Sequence, residues 1–208
     1  MALVNAYITM DDLRGRAGIS DHLDDGTVEP AINDACRAID VWCAQIFYDA
    51  GSATAKTFRP TDPYCAEVLP FNTTTGLAIA TDANDDGTYE VTWASTDYEL
   101  DVYGGDYNTT LGTAPYNKIR AVGSYLFPTE NRRRISLQVT ARWGWSAVPY
   151  NVQEAAKILT VDLWKRKDTP FGITTGTVDF AGLRIGRDLM AQVSSLLTPY
   201  HVHPVMVG

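Results

Sequence analysis

The apolar residues of this chain change their spacing twice, and that double change limits the fold more than any single motif. Val28, Ile32, Ala35, Cys36, Ile39, Trp42, Cys43, Ile46 and Phe47 recur at intervals of three and four, the spacing of one buried helical face. From about residue 53 to 143 the interval falls to two. Tyr89, Val91 and Trp93, then Tyr98, Leu100 and Val102, then Ile135, Leu137, Val139, Ala141 and Trp143 each line one side of an extended strand. Helical spacing returns with Val152, Ala155, Ala156, Leu159 and Leu163. A shorter stripe of Leu189, Val193, Leu196 and Leu197 predicts a helix over 188–197 that Pro199 ends.

Local signals give these segments their ends. Thr9 and Asp12 have the spacing of a capping box for a short helix closing near Gly18, weakened by Gly15. Thr27 can cap the long helix, Pro30 fits its first turn, and Gly51 suits its end. Pro149 suits the first turn of the second long helix, and Lys165, Arg166 and Lys167 complement the dipole at its last turn. Connections such as DANDDG and GGDYNTTLG suit hairpin turns, and Gly172, Gly176, Gly182 and Gly186 predict a loop before the last helix. The fold class expected is α+β, an antiparallel helical bundle with a β-rich insertion between the long helices. Residues 1–51 and 148–198 would build the helical body, 52–147 the insert, and 199–208 an extended C-terminal tail.

Charge and cysteine content narrow the function. A net charge of −8 opposes a surface that wraps nucleic acid, which needs clustered Lys and Arg to displace counterions. No stretch approaches the roughly 20 apolar residues of a membrane span, and the start MALVNAYITMDDLRGR carries acid where a signal peptide needs an apolar run. The chain is therefore expected to be made in a cytoplasm, where the sequons at Asn72 and Asn108 are merely Thr-rich turns. Three cysteines point to reduced thiols. On one helix Cys36 and Cys43 would stand about 10 Å apart along the axis, too far for a disulfide, so they read as small core residues.

Few side chains suggest chemistry. Asp82, Asn84, Asp86 and Gly87 match the first half of a calcium-binding EF-hand loop, but the twelfth position is Trp93 where a bidentate Glu is needed, so a solvated hairpin turn is the better reading. His201 and His203 lack a third metal ligand nearby, with only His22 elsewhere. Arg132, Arg133 and Arg134 suit a solvated strand edge, and Trp143 and Trp145 suit a core. There is no phosphate loop, nucleophile elbow, dinucleotide fingerprint or Cys-x-x-Cys pair, and nothing singles out a catalytic pair from 25 acidic residues. No cofactor is expected.

Residues 141–172, ARWGWSAVPYNVQEAAKILTVDLWKRKDTPFG, strongly resemble the head-tail connector, or adaptor, proteins of tailed phages. The shared pattern is a strand ending in Gly and aromatic residues, an apolar-Pro step, an Ala-rich helix and a Lys/Arg-Asp-x-Pro-x-Gly exit. Residues 82–101 look like the family's strand, acidic turn and strand, and Arg184, Asp188, Leu196, Leu197, Pro199 and Tyr200 are similar to its closing helix. The resemblance implies a noncatalytic ring, usually of twelve subunits, beneath the portal protein. Such a ring extends the channel for genome DNA, without sequence-specific binding, and presents a platform to a downstream stopper or tail protein. It further implies a virion location in the neck. Tyr200, Val202, Val205, Met206 and Val207 have no polar face to pair with them and Pro199 and Pro204 exclude a continued helix, so a docked, extended tail with a portal contact through Pro199, Tyr200, Val202, Val205 and Met206 is expected, and the resemblance points the same way. A ring contact is expected at Lys165, Arg166, Lys167, Asp168 and Phe171. The alternatives are a stopper or tail-completion protein, or a carbohydrate-binding module built on the β insert, for which Trp93 or Trp143 would have to be exposed.

Overall fold

A computed structural model describes residues 3–17, 25–104, 114–130, 135–166, 177–180 and 183–201. The chain divides into two compact units, one of residues 1–48 with 148–202 and one covering 49–147.

The first unit opens with α1 (Met10–Ala17). Its capping box is reciprocal: the Thr9 N–H donates to Asp12 Oδ2 at 2.9 Å, and the Asp12 N–H donates to Thr9 Oγ1 at 3.2 Å. The Thr9 N–H, and the Thr9 hydroxyl donating to the same oxygen at 2.7 Å, hold the Asp12 carboxyl below the usual carboxylate range. Helix α2 (Asp25–Cys43) buries Val28, Ile32, Ala35, Cys36, Ile39 and Cys43. It starts before Thr27 and takes Pro30 inside. It also stops well short of Gly51. Ala44 adopts a left-handed φ of 54°, and the Gln45 N–H donates back to the Asp40 carbonyl at 3.3 Å, which closes the helix with Ala where Gly is the usual residue. Ile46 and Phe47 therefore lie beyond the helix, and Trp42, expected in the core, is only half-buried.

Helix α3 (Tyr150–Lys165) follows Pro149, which is its extended N-cap, and buries Val152, Ala155, Ala156, Ile158 and Leu159. Helices α1, α2 and α4 (Arg187–Leu197) all pack on it. Ahead of α4 the chain forms an antiparallel hairpin of two four-residue strands where a loop was expected. In chain order these are β8 (Thr177–Phe180) and β9 (Leu183–Gly186), and both pack against α4.

The second unit contains two antiparallel sheets. One has the order β1 (Thr54–Phe58), β7 (Leu137–Ala141), β3 (Ala78–Thr81), β4 (Val91–Trp93). The other has β2 (Cys65–Phe71), β6 (Tyr116–Ala121), β5 (Tyr98–Val102). An antiparallel bridge joins Phe71 to Trp143, and both sheets contribute to one core that includes Phe58, Val68, Phe71, Ile79, Trp93, Ile119, Val139 and Trp143. The strict alternation of β7 is the clearest case, with Leu137, Val139 and Ala141 all buried. Outer strands resist further pairing: β4 has three residues, β2 contains Pro70 and a bulge, and β5 carries Glu99 and Asp101.

The fold corrects the expected class. Among the described residues the chain is a mixed structure with seven strands in two antiparallel sheets, two more in the hairpin, and four helices of 8, 19, 16 and 11 residues, not an antiparallel bundle of long helices with an insertion. The helical stripes at Val28 and Val152 are strong local signals, yet they cover short stretches. The alternating residues between them form a large aromatic and aliphatic core of their own.

Candidate functional site

The residues singled out from the sequence fall into three places. After α4 comes a single 3-10 turn, Thr198–Tyr200, with Pro199 in its first half. Thr198 Oγ1 donates to the Ser194 carbonyl at 2.6 Å, and the His201 N–H donates to the Thr198 carbonyl at 3.3 Å. Pro199 is exposed and Tyr200 half-buried. The Tyr200 ring meets Phe47 edge-on at 5.7 Å, its carbonyl accepts a hydrogen bond from Gln45 Nε2, and the His201 ring meets Trp42 edge-on at 6.3 Å. Val202, His203, Val205 and Met206 lie outside the described residues.

At the end of α3, Lys165 is exposed and Arg166 pairs with Asp162 at 2.6 Å within the same helix. Burial pushes the Asp162 carboxyl up, and the Arg166 charge opposes that shift. Lys167, Asp168 and Phe171 lie outside the described residues, as do His22 and Arg132, Arg133 and Arg134.

The third place is the acidic turn after β3. Oxygens of Asp82, Asp86 and Glu90 lie within 4.8 Å of one another, close enough to share a divalent cation. Each also stabilises the local backbone. Asp82 is fully buried and accepts from the Gly87 N–H at 2.8 Å and the Asp86 N–H at 3.3 Å. Asp86 accepts from Thr88, and Glu90 from the Ala83 N–H at 3.0 Å. Trp93, at the position where a closing carboxylate would be needed, is buried and donates from Nε1 to Thr81 Oγ1 at 3.1 Å. The arrangement is that of a side-chain-capped turn.

The tryptophans that a sugar-binding platform on the insert would need at the surface are buried. Trp93, Trp143 and Trp145 are 5%, 2% and 3% exposed. Trp93 stacks on Phe127 at 4.6 Å, Trp143 lies between Phe58 and Phe71, and Trp145 meets Tyr103 edge-on at 5.5 Å.

One constellation carried no warning in the sequence. Tyr7 donates its hydroxyl to Asp40 and accepts from the Phe47 N–H at 3.0 Å, while its own N–H reaches Cys36 Sγ at 3.3 Å. Arg37 pairs with Asp40 at 2.8 Å, donates to the Asn5 carbonyl at 3.0 Å, and lies over the rings of Tyr7 and Tyr48. Burial pushes Asp40 up to about 6, against the opposing hydrogen bond from Tyr7 and charge of Arg37. Burial likewise raises the Tyr7 hydroxyl, with the Asp40 charge adding to it, and pushes the Cys36 and Cys43 thiols up to about 11 and about 12. The two thiols are thus protonated and inert at neutral pH. This network pins the segment before α1 onto α2 and has the character of a buried structural anchor.

No protein-family model matches the sequence, and no curated protein matches it. Among solved structures, the chain is similar to one in the neck of an empty gene transfer agent particle, computed with C6 symmetry. The TM-score is 0.54 at 17% identity, over 99% of this chain and 95% of that one. It is the fold that they share. A chain in the neck of a native particle of the same type, computed with C12 symmetry, matches with a TM-score of 0.50 and 15% identity over 94% of this chain and 91% of that one. Each likeness spans nearly the whole of both chains, so both units are included in the comparison.

Proposed function

We propose that this chain is a noncatalytic subunit of the neck of a tailed phage or phage-like particle, an adaptor that forms a ring beneath the portal. The observation that carries the reading is the near-complete overlap of fold with a chain from a particle neck, 99% of this chain on 95% of that one. The C6 and C12 symmetries of the two matched necks support a ring of copies, and a closed ring requires each subunit to offer two different faces. Two separately built units supply different surfaces for that purpose. An acidic chain suits a channel wall past which a polyanion must slide, since it offers few fixed cations to hold phosphate.

In this reading the C-terminal residues 199–208 act as an arm toward the portal, and the end of α3, from Lys165 through Phe171, contributes to the contact between neighbouring subunits. The opposite side of the ring receives a stopper or tail protein. Gold labelling of this protein in intact particles tests the assignment. Label at the junction of head and tail, against the portal, is the expected result. Label one layer further from the head would make the chain a stopper or tail-completion protein, and label on the outer surface would favour a binding module.

A further inference from the structure

We propose that Gln45, Phe47 and Trp42 form a socket that fixes the root of the C-terminal arm, so that residues 198–201 aim the arm and residues beyond them make the contact. The inference rests on the arm reading above and divides the arm in two. Pro199 and Tyr200 become anchoring residues in place of contact residues.

The geometry is specific to the path of the backbone. Gln45 is 5% exposed, and a buried amide is costly unless its donors are used. Its Nε2 donates to the main-chain carbonyl of Tyr200, a group 155 residues away. Gln45 is also the residue whose own N–H closes α2, so one side chain position couples the end of that helix to the end of the chain's last turn. The Tyr200 ring sits edge-on to Phe47, and Phe47 sits edge-on to Tyr7 at 5.7 Å. Through Tyr7 the socket is continuous with the partly buried Asp40 and its ion-pair partner Arg37. His201 against Trp42 adds a second ring contact at the exit. Pro199 limits φ within the turn, so the root has few ways to leave this path. A root held in this way lowers the conformational entropy that attachment of the arm must overcome, which is the advantage of preorganisation.

The test uses the full-length protein and its incorporation into particles, alongside thermal melting of the purified subunit. Tyr200→Ala removes the ring from Phe47 and is expected to lower incorporation about tenfold while the melting temperature stays within about 3 °C. Tyr200→Phe keeps a ring against Phe47 and is expected to incorporate normally. A third variant lacking residues 202–208 reports on the arm itself. If that deletion abolishes incorporation while Tyr200→Ala incorporates normally, the arm reading stands and the socket is overturned. If the deletion incorporates normally, the arm reading fails and the socket falls with it. Hydrogen exchange in the free wild-type subunit gives a check independent of any variant. Amides of Tyr200 and His201 are expected to be protected, and exchange at the rate of an open chain would overturn the proposal.

Discussion

In the sheet unit Asp82, Ser136 and Trp93 bond to groups nearby along the chain and the Trp143 indole is the long reach, to Thr54, whereas in the helical unit Tyr7 and Gln45 both tie together segments that are far apart. Asp82 bonds to its own turn, Ser136 to the Pro128 carbonyl, and Trp93 to Thr81 on the adjacent strand. What holds distant parts of that unit together is apolar packing around Phe58, Phe71 and Trp143, with ion pairs such as Glu67 with Lys118 at 3.0 Å left on the outside. In the helical unit Tyr7 reaches Asp40 and Phe47, and Gln45 reaches Tyr200. A packing defect should therefore damage the sheet unit most, and a change of protonation the helical unit most.

Trp143→Ala should have the largest effect. The side chain is almost fully enclosed, donates Nε1 to the Thr54 carbonyl at 2.8 Å, and bridges the two sheets through Phe71. Its loss is expected to cost about 3 to 5 kcal/mol in urea unfolding. A cost below about 1 kcal/mol would mean that the sheets do not share this core.

Asp40→Asn probes the other side of the comparison. Asp40 titrates near 6 when folded and at 3.8 in its ordinary state, so between those values the folded chain holds a proton that the unfolded chain has lost. Its contribution is fully present below about pH 4 and is lost as pH rises through 6. Across that window the wild-type profile should fall relative to that of the Asn variant by on the order of 2 to 3 kcal/mol. Parallel profiles would remove Asp40 from the set of groups that set the pH response.

Thr9→Ala should cost about 1 kcal/mol by removing the side-chain acceptor for the Asp12 N–H. The smallest effect is expected at Asp49, which Arg142 grips from Nε at 2.6 Å and which sits below the usual carboxylate range because of that hydrogen bond. The sign is opposite to that of Asp40: the contribution is present above the unfolded value and is lost as pH falls. Both side chains remain partly open to solvent, so Asp49→Asn should cost less than about 1 kcal/mol at pH 7. A larger loss would show that the sheet unit, too, depends on a long-range polar tie.

Local patterns were readable in the sequence where the cause was local. Thr9 and Asp12 form the box their spacing promised, and β7 buries alternate residues as its composition implies. The end of α2 was hidden because Ala44 takes the left-handed position that Gly51 was expected to fill. The hairpin of β8 and β9 was hidden by the glycines in and around it, although Val178 pairs with Ile185 and Phe180 with Leu183 in its register. Weighting helical stripes over the longer alternating stretch produced the wrong fold class. For the site, Tyr200 was legible as one of several apolar residues in the C-terminal tail, but its partners Phe47 and Gln45 are too remote in sequence to be inferred. The Tyr7 and Asp40 pair was equally invisible, since the two residues are 33 positions apart and carry no local motif.

The central claim, that this chain is a ring-forming neck subunit, is tested most directly by a symmetry-averaged reconstruction of the particle along its tail axis. The expected result is a closed ring of copies directly beneath the portal, with the C-terminal residues of each copy against portal density. A single copy per particle, or copies confined to the tail tip or the capsid surface, would contradict it.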